Sequence, residues 1–201
     1  MKKKSNILIG THNKGKFREL SYLLPKKLKK ISPDKFDVKS PKETGKTFLA
    51  NSKLKAKYFF KKTKLISLSD DSGLSVNCLS GKPGINSARY AIKCGGFKKA
   101  MKKIIHEVEK KNKNKKKKNF KAEFICSLSI FDKRGKFTNS IGRMKGKISK
   151  IIIGKNGFGY DSIFIPNNYS VTLGQMSKRK KMMMDHRFKA YKKLKKKVSF
   201  L

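Results

Sequence analysis

The alternation of apolar and polar side chains between Phe120 and Phe131 is the pattern that most restricts what this chain can fold into. Every second position is apolar, at Phe120, Ala122, Phe124, Cys126, Leu128 and Ile130. A period of two is that of a β-strand with one buried face. The chain therefore contains at least one long strand that must pack against other elements.

Shorter segments predict the rest of the architecture. Further strands are predicted at Asn6–Gly10, Phe36–Val38, Leu65–Leu68, Phe137–Ile148 and Asp161–Ile165. Helices are predicted at Lys14–Leu24, from Thr47 to near Lys62, at Phe97–Lys110 and, with a break near Asp185, at Lys178–Lys197. Strands and helices interleave, so the sequence predicts an α/β fold with a mixed sheet. The length of 201 residues suits a single domain over 1–201.

The net charge of +42 raises the hypothesis of a basic nucleic-acid-binding protein. The 54 basic residues comprise 48 Lys and only 6 Arg, however, and Arg is the residue favoured for bidentate recognition of phosphates and bases. The lysines are also spread through nearly every polar stretch, as a bias toward A/T-rich codons would produce. We therefore expect weak, salt-dependent attraction to polyanions and no specific nucleic-acid partner.

Cysteine usage and the lengths of the apolar runs predict the cellular compartment of the protein. The three cysteines, Cys78, Cys94 and Cys126, are odd in number and show no CxxC spacing, which argues against a disulfide framework or a zinc site. The first apolar run, Ile7–Ile9, is too short for a signal peptide, and no stretch approaches a membrane span. We expect a soluble, cytoplasmic protein without a membrane partner.

Two adjacent carboxylates, Asp70 and Asp71, precede a Ser-Gly pair in a chain with only 12 acidic residues. They follow a predicted strand, and a strand that ends in carboxylates and small residues is how α/β proteins present metal ligands and catalytic bases. An Asx-type turn or a helix N-cap is the alternative, since Asp and Ser are favoured in both.

Two further segments carry polar groups at the starts of predicted helices. Gly10–Lys16 leaves a strand and enters a helix, and its amides and lysines suit a phosphate group, although its spacing is not that of a Walker A motif. It could equally be an ordinary strand–turn–helix junction. In Glu43–Ala56, Thr47 can cap a helix that carries Asn51 and Lys55 on one face, where they bind a ligand or simply meet solvent.

Two segments in the last third of the chain complete the set. Gly154–Asp161 has three glycines in six residues, followed by aromatic side chains that could stack on a base and a carboxylate that could accept from its edge. As structure alone it could be a glycine-rich hairpin loop. Asp185–Arg187, with Lys181 four residues before Asp185, is a polar cluster beside three methionines.

Taken together and in this order, the motifs resemble the inosine triphosphate pyrophosphatase family, which hydrolyses non-canonical purine nucleoside triphosphates. The matching residues are Thr11, Asn13 and Lys16, then Glu43–Ala56, Asp70–Leu74, Pro83–Tyr90, Gly157–Asp161, and His186 with Arg187. The resemblance implies an elongated, two-lobed α/β fold with a long curved mixed sheet flanked by helices and an active-site cleft between the lobes. It also implies a homodimer that converts ITP, dITP or XTP to the monophosphate and pyrophosphate, with Mg²⁺ as cofactor.

The resemblance also implies roles for individual residues. Asp71 matches the metal ligand and proton acceptor, Ser72 its substrate-binding neighbour, and Lys55 a lysine on the triphosphate side. The phosphate-binding loop matches Thr11, His12, Asn13, Lys14, Gly15 and Lys16. The residues that enclose the purine and read its 6-oxo edge match Phe158, Gly159, Tyr160, Asp161, Lys181, His186 and Arg187.

The chain departs from the family pattern at three positions. Lys42 occupies the place of the usual metal-binding glutamate, so either Glu43 or Asp70 takes over the coordination or the metal affinity is weakened. Gln175 stands where the family has a glutamate before the last motif. Asp185 replaces the serine before His-Arg and would place a negative charge near the base pocket.

Overall fold

The computed structural model describes residues 5–200. The strands of this part of the chain are β1 (Asn6–Ile9), β2 (Lys29–Ile31), β3 (Ser67–Val76), β4 (Lys121–Phe131), β5 (Phe137–Ile148) and β6 (Phe164–Pro166). The α-helices are α1 (Lys14–Leu23), α2 (Phe48–Thr63), α3 (Ser87–Lys93), α4 (Phe97–Asn112), α5 (Lys178–Met182) and α6 (His186–Lys195). No helix among the described residues has the length and apolar character needed to cross a membrane.

The strands form one mixed sheet in the order β2-β1-β3-β4-β5-β6. β1 runs parallel to β2 and to β3, with Leu8 opposite Ser67, whereas β5 and β6 are antiparallel, with Ile148 opposite Phe164. The predicted α/β fold with a mixed sheet flanked by helices is confirmed.

Several predicted elements lie where the sequence placed them. β5 has the predicted bounds, Phe137–Ile148, and β4 begins one residue later than predicted. Every residue of β4 from Phe124 onward is buried, so the prediction that only one face of this strand is buried was wrong. α2 is capped by Thr47, whose hydroxyl accepts from the Ala50 amide at 3.0 Å. The last helical region is broken near Asp185, as predicted, into α5 and α6.

The prediction of a strand at Phe36–Val38 was wrong. The second strand is Lys29–Ile31, and Pro33–Phe36 is a short 3₁₀ helix. Ser32 caps this turn by accepting from the Asp34 amide, and Pro33 sits at its first position, where the missing N–H of proline is no loss. The predicted strand at Asp161–Ile165 is also shifted, because a 3₁₀ turn at Asp161–Ile163 precedes β6.

The aspartate pair does not lie in a turn. β3 continues through Asp70 and Asp71 to Val76, so the prediction of a strand ending at Leu68, and with it the Asx-turn and N-cap alternatives, was wrong. The glycine that suggested a turn has another purpose, since a Cβ on Gly73 would lie 2.2 Å from the carbonyl oxygen of Gly84. Gly73 therefore permits a close approach of backbone to β3.

The chain divides into two compact units. The first unit takes the chain up to Asp71, Cys126–Gly142 and the chain from Arg187; the second takes Ser72–Ile125 and Arg143–His186. The core of the first unit includes Ile7, Ile9, Leu20, Leu68, Leu128 and Leu194. That of the second includes Leu74, Ile104, Met144, Ile163 and Phe164. Each unit thus has its own buried apolar core.

Candidate active site

The loop between β1 and α1 is closed by side chains of the predicted phosphate motif. Asn13 caps α1 through its Oδ1, which accepts from the Lys16 amide at 3.0 Å, and the Asn13 amide donates to Thr11 Oγ1 at 3.2 Å. Lys14 and Gly15 are the first two helical residues, whose amides have no partner within the helix. The junction thus presents main-chain donors and the positive end of a helix, as an anionic group requires.

His12, in the same loop, contacts two residues that follow β2. Its Nε2 is 3.3 Å from Asp34 Oδ1, and its Nδ1 is 2.7 Å from Ser40 Oγ. A cavity of about 460 Å³ runs along the same loop and is lined by Thr11, His12, Lys14, Phe17, Arg18, Ser32 and Asp34. The loop is therefore open to a ligand of substantial size within the first unit.

Asp70 is a buried member of an ion-pair network. Its side chain is fully enclosed, with Oδ2 3.1 Å from Lys16 Nζ and 3.5 Å from Arg187 Nε. Arg187 in turn contacts Glu19, with Nη1 and Oε2 2.5 Å apart. This network fixes a lysine of the phosphate motif and the arginine of the last motif around one carboxylate.

Asp71 has different neighbours from Asp70, as adjacent residues of a strand point to opposite faces. It is 4% exposed, and its Oδ2 accepts from the side-chain amide of Asn51 at 3.0 Å. Asn51 and Lys55 are both buried, on successive turns of α2, which excludes the alternative that they simply meet solvent. Lys55 Nζ is 2.6 Å from Glu43 Oε1.

The two aspartates differ in acidity. Burial raises the pKa of Asp70, but Lys16, Arg187 and Lys55 outweigh this effect and hold the pKa well below its usual range. Burial also raises the pKa of Asp71, and there Lys55 and Lys16 offset the effect only in part. Asp70 is consequently a fixed negative charge, whereas Asp71 is the carboxylate better suited to accept a proton.

The ammonium of Lys55 links the carboxylates of this region. Burial lowers its pKa, but Asp70, Asp71 and Glu43 together raise it above the ordinary value. Lys55 therefore stays charged, although its side chain is almost completely enclosed. Its position makes it the cation that allows several carboxylates to be ionised close together.

The donor set suits a hard cation that needs few protein ligands. The charge of Glu43 raises the pKa of Asp71, so the two carboxylates lie within range of mutual repulsion. Within residues 5–200, no three His, Cys, Asp or Glu side chains form a group that could hold a metal by themselves. Magnesium ordinarily uses one or two carboxylates together with water and substrate phosphates, and Asp71 with Glu43 fits that pattern. Asp70 is enclosed with the cations of Lys16 and Arg187, which leaves Glu43 as the second carboxylate beside Asp71. Lys42, at the position of the usual metal-binding glutamate, is exposed.

The second unit contains the glycine-rich motif. Gly154, Gly157 and Gly159 all have positive φ, at 91°, 79° and 67°. A Cβ on Gly157 would lie 2.1 Å from Asp161 Oδ2, so the loop can fold onto that carboxylate only with glycine at this position.

Asp161 organises the side chains around this loop. Its Oδ2 accepts from the Phe158 amide at 2.8 Å and from Lys181 Nζ at 2.7 Å. The ammonium of Lys181 also lies 4.6 Å from the centre of the half-buried Phe158 ring. Tyr160 is a core residue whose hydroxyl donates to the Ser87 carbonyl at 2.8 Å. Phe158 and Lys181 are thus held together by one buried carboxylate.

The remaining predicted residues lie at the following places. His186 is buried, and its ring stacks on that of Phe124 at 4.8 Å between centres. Ser72 is half-buried in β3. Gln175 closes a turn, with Oε1 accepting from the Thr172 amide at 2.9 Å, and Asp185 is buried after the end of α5.

Sequence reasoning missed two partners of predicted site residues. Glu19 was not singled out, although it is the one acid of α1 in a chain poor in acids, and this scarcity was the available signal. Asn51 was noted without its contact to Asp71.

The comparisons with known proteins agree with these motifs. The model of the Ham1 family matches residues 7–197. A dITP/XTP pyrophosphatase of Zymomonas mobilis is 35% identical over 189 residues, which cover 94% of this chain and 89% of that protein. One of Campylobacter jejuni is 39% identical over 92% of each chain. The solved structure of a HAM1 protein from Coxiella burnetii superposes with a TM-score of 0.85 at 29% identity and covers 98% of this chain and 100% of that one. The chain therefore belongs to the Ham1 family.

Proposed function

We propose that the protein hydrolyses the non-canonical purine nucleoside triphosphates ITP, dITP and XTP to the nucleoside monophosphate and pyrophosphate. The observation that carries the proposal is the environment of Asp71, a buried carboxylate of raised pKa that lies next to a charged lysine and an orienting amide. The names of the relatives, dITP/XTP pyrophosphatases, support the substrate class. The protein would remove these nucleotides from the cellular pool as one catalytic domain.

The first unit supplies the triphosphate side of the proposed site. The main-chain amides and hydroxyl of the Thr11–Lys16 loop, together with Lys16 and Lys55, bind the phosphates and stabilise the negative charge of the leaving pyrophosphate. Asp71 orients a water molecule and takes its proton as the water oxygen attacks the α-phosphorus. The bond between the α-phosphorus and the bridging oxygen breaks, and that oxygen leaves with pyrophosphate.

The enzymes of this family generally use a divalent metal ion, and we assign Mg²⁺ to this protein. Asp71 and Glu43 would hold it, because both offer carboxylate oxygens and Asn51 contacts both Asp71 and the main chain two residues after Glu43. When bound, Mg²⁺ neutralises charge on the triphosphate and polarises its phosphoryl oxygens. Glu43 would then have the role of the family's metal-binding glutamate, whose position Lys42 occupies in this chain.

Residues of the last motifs supply the base side. Phe158 offers an aromatic face for a purine ring, and Lys181, His186 and Arg187 carry N–H donors for O6 of hypoxanthine or xanthine. Ser72, Gly159, Tyr160 and Asp161 are assigned to the base side on the family resemblance alone. Adenine carries an amino group at that position, which cannot accept these donors, and such polar mismatches discriminate strongly. We also propose a cytoplasmic homodimer, on the family resemblance alone. Nothing in the comparisons favours the nucleic-acid-binding alternative.

The test is pyrophosphate release from ITP, XTP, dITP, GTP and ATP with Mg²⁺, for the wild type and the isosteric variant Asp71→Asn. We expect ITP and XTP to be hydrolysed well above ATP, which lacks O6, and above GTP, as the names of the relatives indicate. The substitution should lower kcat by about 10²–10⁴-fold, as loss of a general base does. Asp132→Asn, at a turn in β4–β5, serves as control and should leave turnover unchanged. Absence of turnover of every nucleotide, or full activity of Asp71→Asn, would contradict the proposal.

A further inference from the structure

Asn51 connects the two acidic residues to which we assign the metal. Its side-chain Nδ2 donates to Asp71 Oδ2 at 3.0 Å, and its Oδ1 accepts from the Gly45 amide at 2.8 Å. Gly45 lies two residues after Glu43 in the segment that precedes α2. One carboxamide therefore spans from the catalytic carboxylate to the segment that carries Glu43.

The orientation of this carboxamide is determined by its surroundings. A main-chain N–H can only donate, so the atom facing Gly45 is the oxygen, and the –NH₂ group must face Asp71. A Cβ on Gly45 would lie 2.6 Å from Asn51 Oδ1, so the contact needs a glycine there. The amide donor is thus aimed at one oxygen of Asp71.

The helix that carries Asn51 is itself held in place. The Asn51 amide donates to the carbonyl of the capping residue Thr47 at 3.1 Å. The neighbouring side chain, Ser52, is equally buried, and its hydroxyl lies 2.9 Å from Ser127 Oγ and 2.8 Å from Ser129 Oγ on β4. Ser52 stabilises the helix without contacting Asp71, which makes it a matched control for its neighbour.

We propose that Asn51 is a positioning residue for the reaction: it holds the Asp71 carboxylate in one orientation and, through Gly45, keeps the Glu43 segment in register with it. This role rests on the proposed function of Asp71. Asn51 contacts neither water nor substrate in this role, and it acts through the carboxylate. Residues that orient a ligand in this way typically affect metal affinity or activity by about 10–100-fold.

The experiment compares Asn51→Ala, Asn51→Asp and Ser52→Ala by ITP kinetics and by the shift in Tm that Mg²⁺ alone produces. We expect Asn51→Ala to lower kcat by about 10–100-fold with KM changed less than about threefold, and to weaken Mg²⁺ binding by a similar factor. Asn51→Asp keeps the acceptor for Gly45 but puts a carboxylate oxygen in place of the donor to Asp71, so it should lower kcat by as much. Ser52→Ala should lower Tm but keep kcat and the Mg²⁺ response.

Asn51→Asp carries the test if Asn51→Ala does not fold, because it preserves the shape of the side chain. The proposal is overturned if both Asn51 variants keep kcat and Mg²⁺ affinity within about threefold of Ser52→Ala, or if only KM changes. If the wild type turns over no nucleotide, the proposed function fails. The Mg²⁺ titration then decides the positioning role, which fails if the Asn51 variants respond as the wild type does.

Discussion

Replacing Lys181 by methionine tests whether the buried pair in the second unit holds the glycine-rich loop. Lys181 Nζ is 2.7 Å from Asp161 Oδ2, and both side chains are at most 5% exposed. Methionine keeps the length of the side chain and removes the charge. The variant therefore leaves a carboxylate in a buried environment without the ammonium that it contacts.

The structure sets the expected size of the effect. Removing one partner of a buried ion pair costs about 3–5 kcal/mol, because the remaining charge stays desolvated. For a chain of this length, about 1 kcal/mol corresponds to roughly 2–4 °C in Tm, so the variant should melt about 6–20 °C lower. Lys180 is the matched control: it is exposed, and its contact is the Tyr169 ring at 4.9 Å, worth about 0.5–1 kcal/mol.

The assays are thermal unfolding, which gives Tm, and urea unfolding, which gives the free energy; both are followed by far-UV circular dichroism because the chain has no tryptophan. The double variant Asp161→Asn with Lys181→Met should be more stable than Lys181→Met alone, because no buried charge then remains at the pair. Asparagine can still accept from the Phe158 amide. The reasoning is refuted if Lys181→Met loses no more stability than Lys180→Met. It is also refuted if the effects of Asp161→Asn and Lys181→Met on the free energy of unfolding are additive in the double variant.

Two further substitutions test the site. Gly157→Ala should raise KM for ITP by about tenfold, because the added methyl meets the Asp161 carboxylate; Gly135→Ala, with a similar positive φ and nothing within 4 Å, should leave KM unchanged. Lys55→Met should raise the pKa of Asp71 further in the metal-free protein, because its ammonium lowers that pKa; a carboxyl-carbon NMR titration showing a constant or lower pKa would contradict this.

The elements that the sequence predicted well are those with a strong local period. β4 lies within one residue of its predicted bounds because apolar and polar positions alternate through the strand, and α2 begins where Thr47 supplies a cap. Phe36–Val38 failed because its apolar residues are only two, whereas Ser32 and Pro33 carry the start signal of a 3₁₀ turn. Local sequence signals thus predict long elements more accurately than short ones.

The position of the aspartates required information from distant parts of the chain. Ser72 and Gly73 have the composition of a turn, but the approach of Gly84 to β3 makes glycine necessary in an extended strand. The contacts of the site are equally remote. Asn51 and Asp71 are 20 residues apart, and Arg187 and Glu19 are 168 apart, so no spacing rule could pair them.

The scarcity of acids in this chain is itself informative once their positions are known. Among the described residues, the buried lysine and arginine side chains are Lys55, Lys181 and Arg187, and each lies 2.5–2.7 Å from a carboxylate oxygen. A surface lysine adds only self-repulsion, which salt screens, so lysine can accumulate there without loss of the fold. A buried cation without its acid would be strongly destabilising. The acids that pair with these three cations are therefore needed by the fold, whereas most of the lysines behind the charge of +42 lie outside the buried part of the described chain.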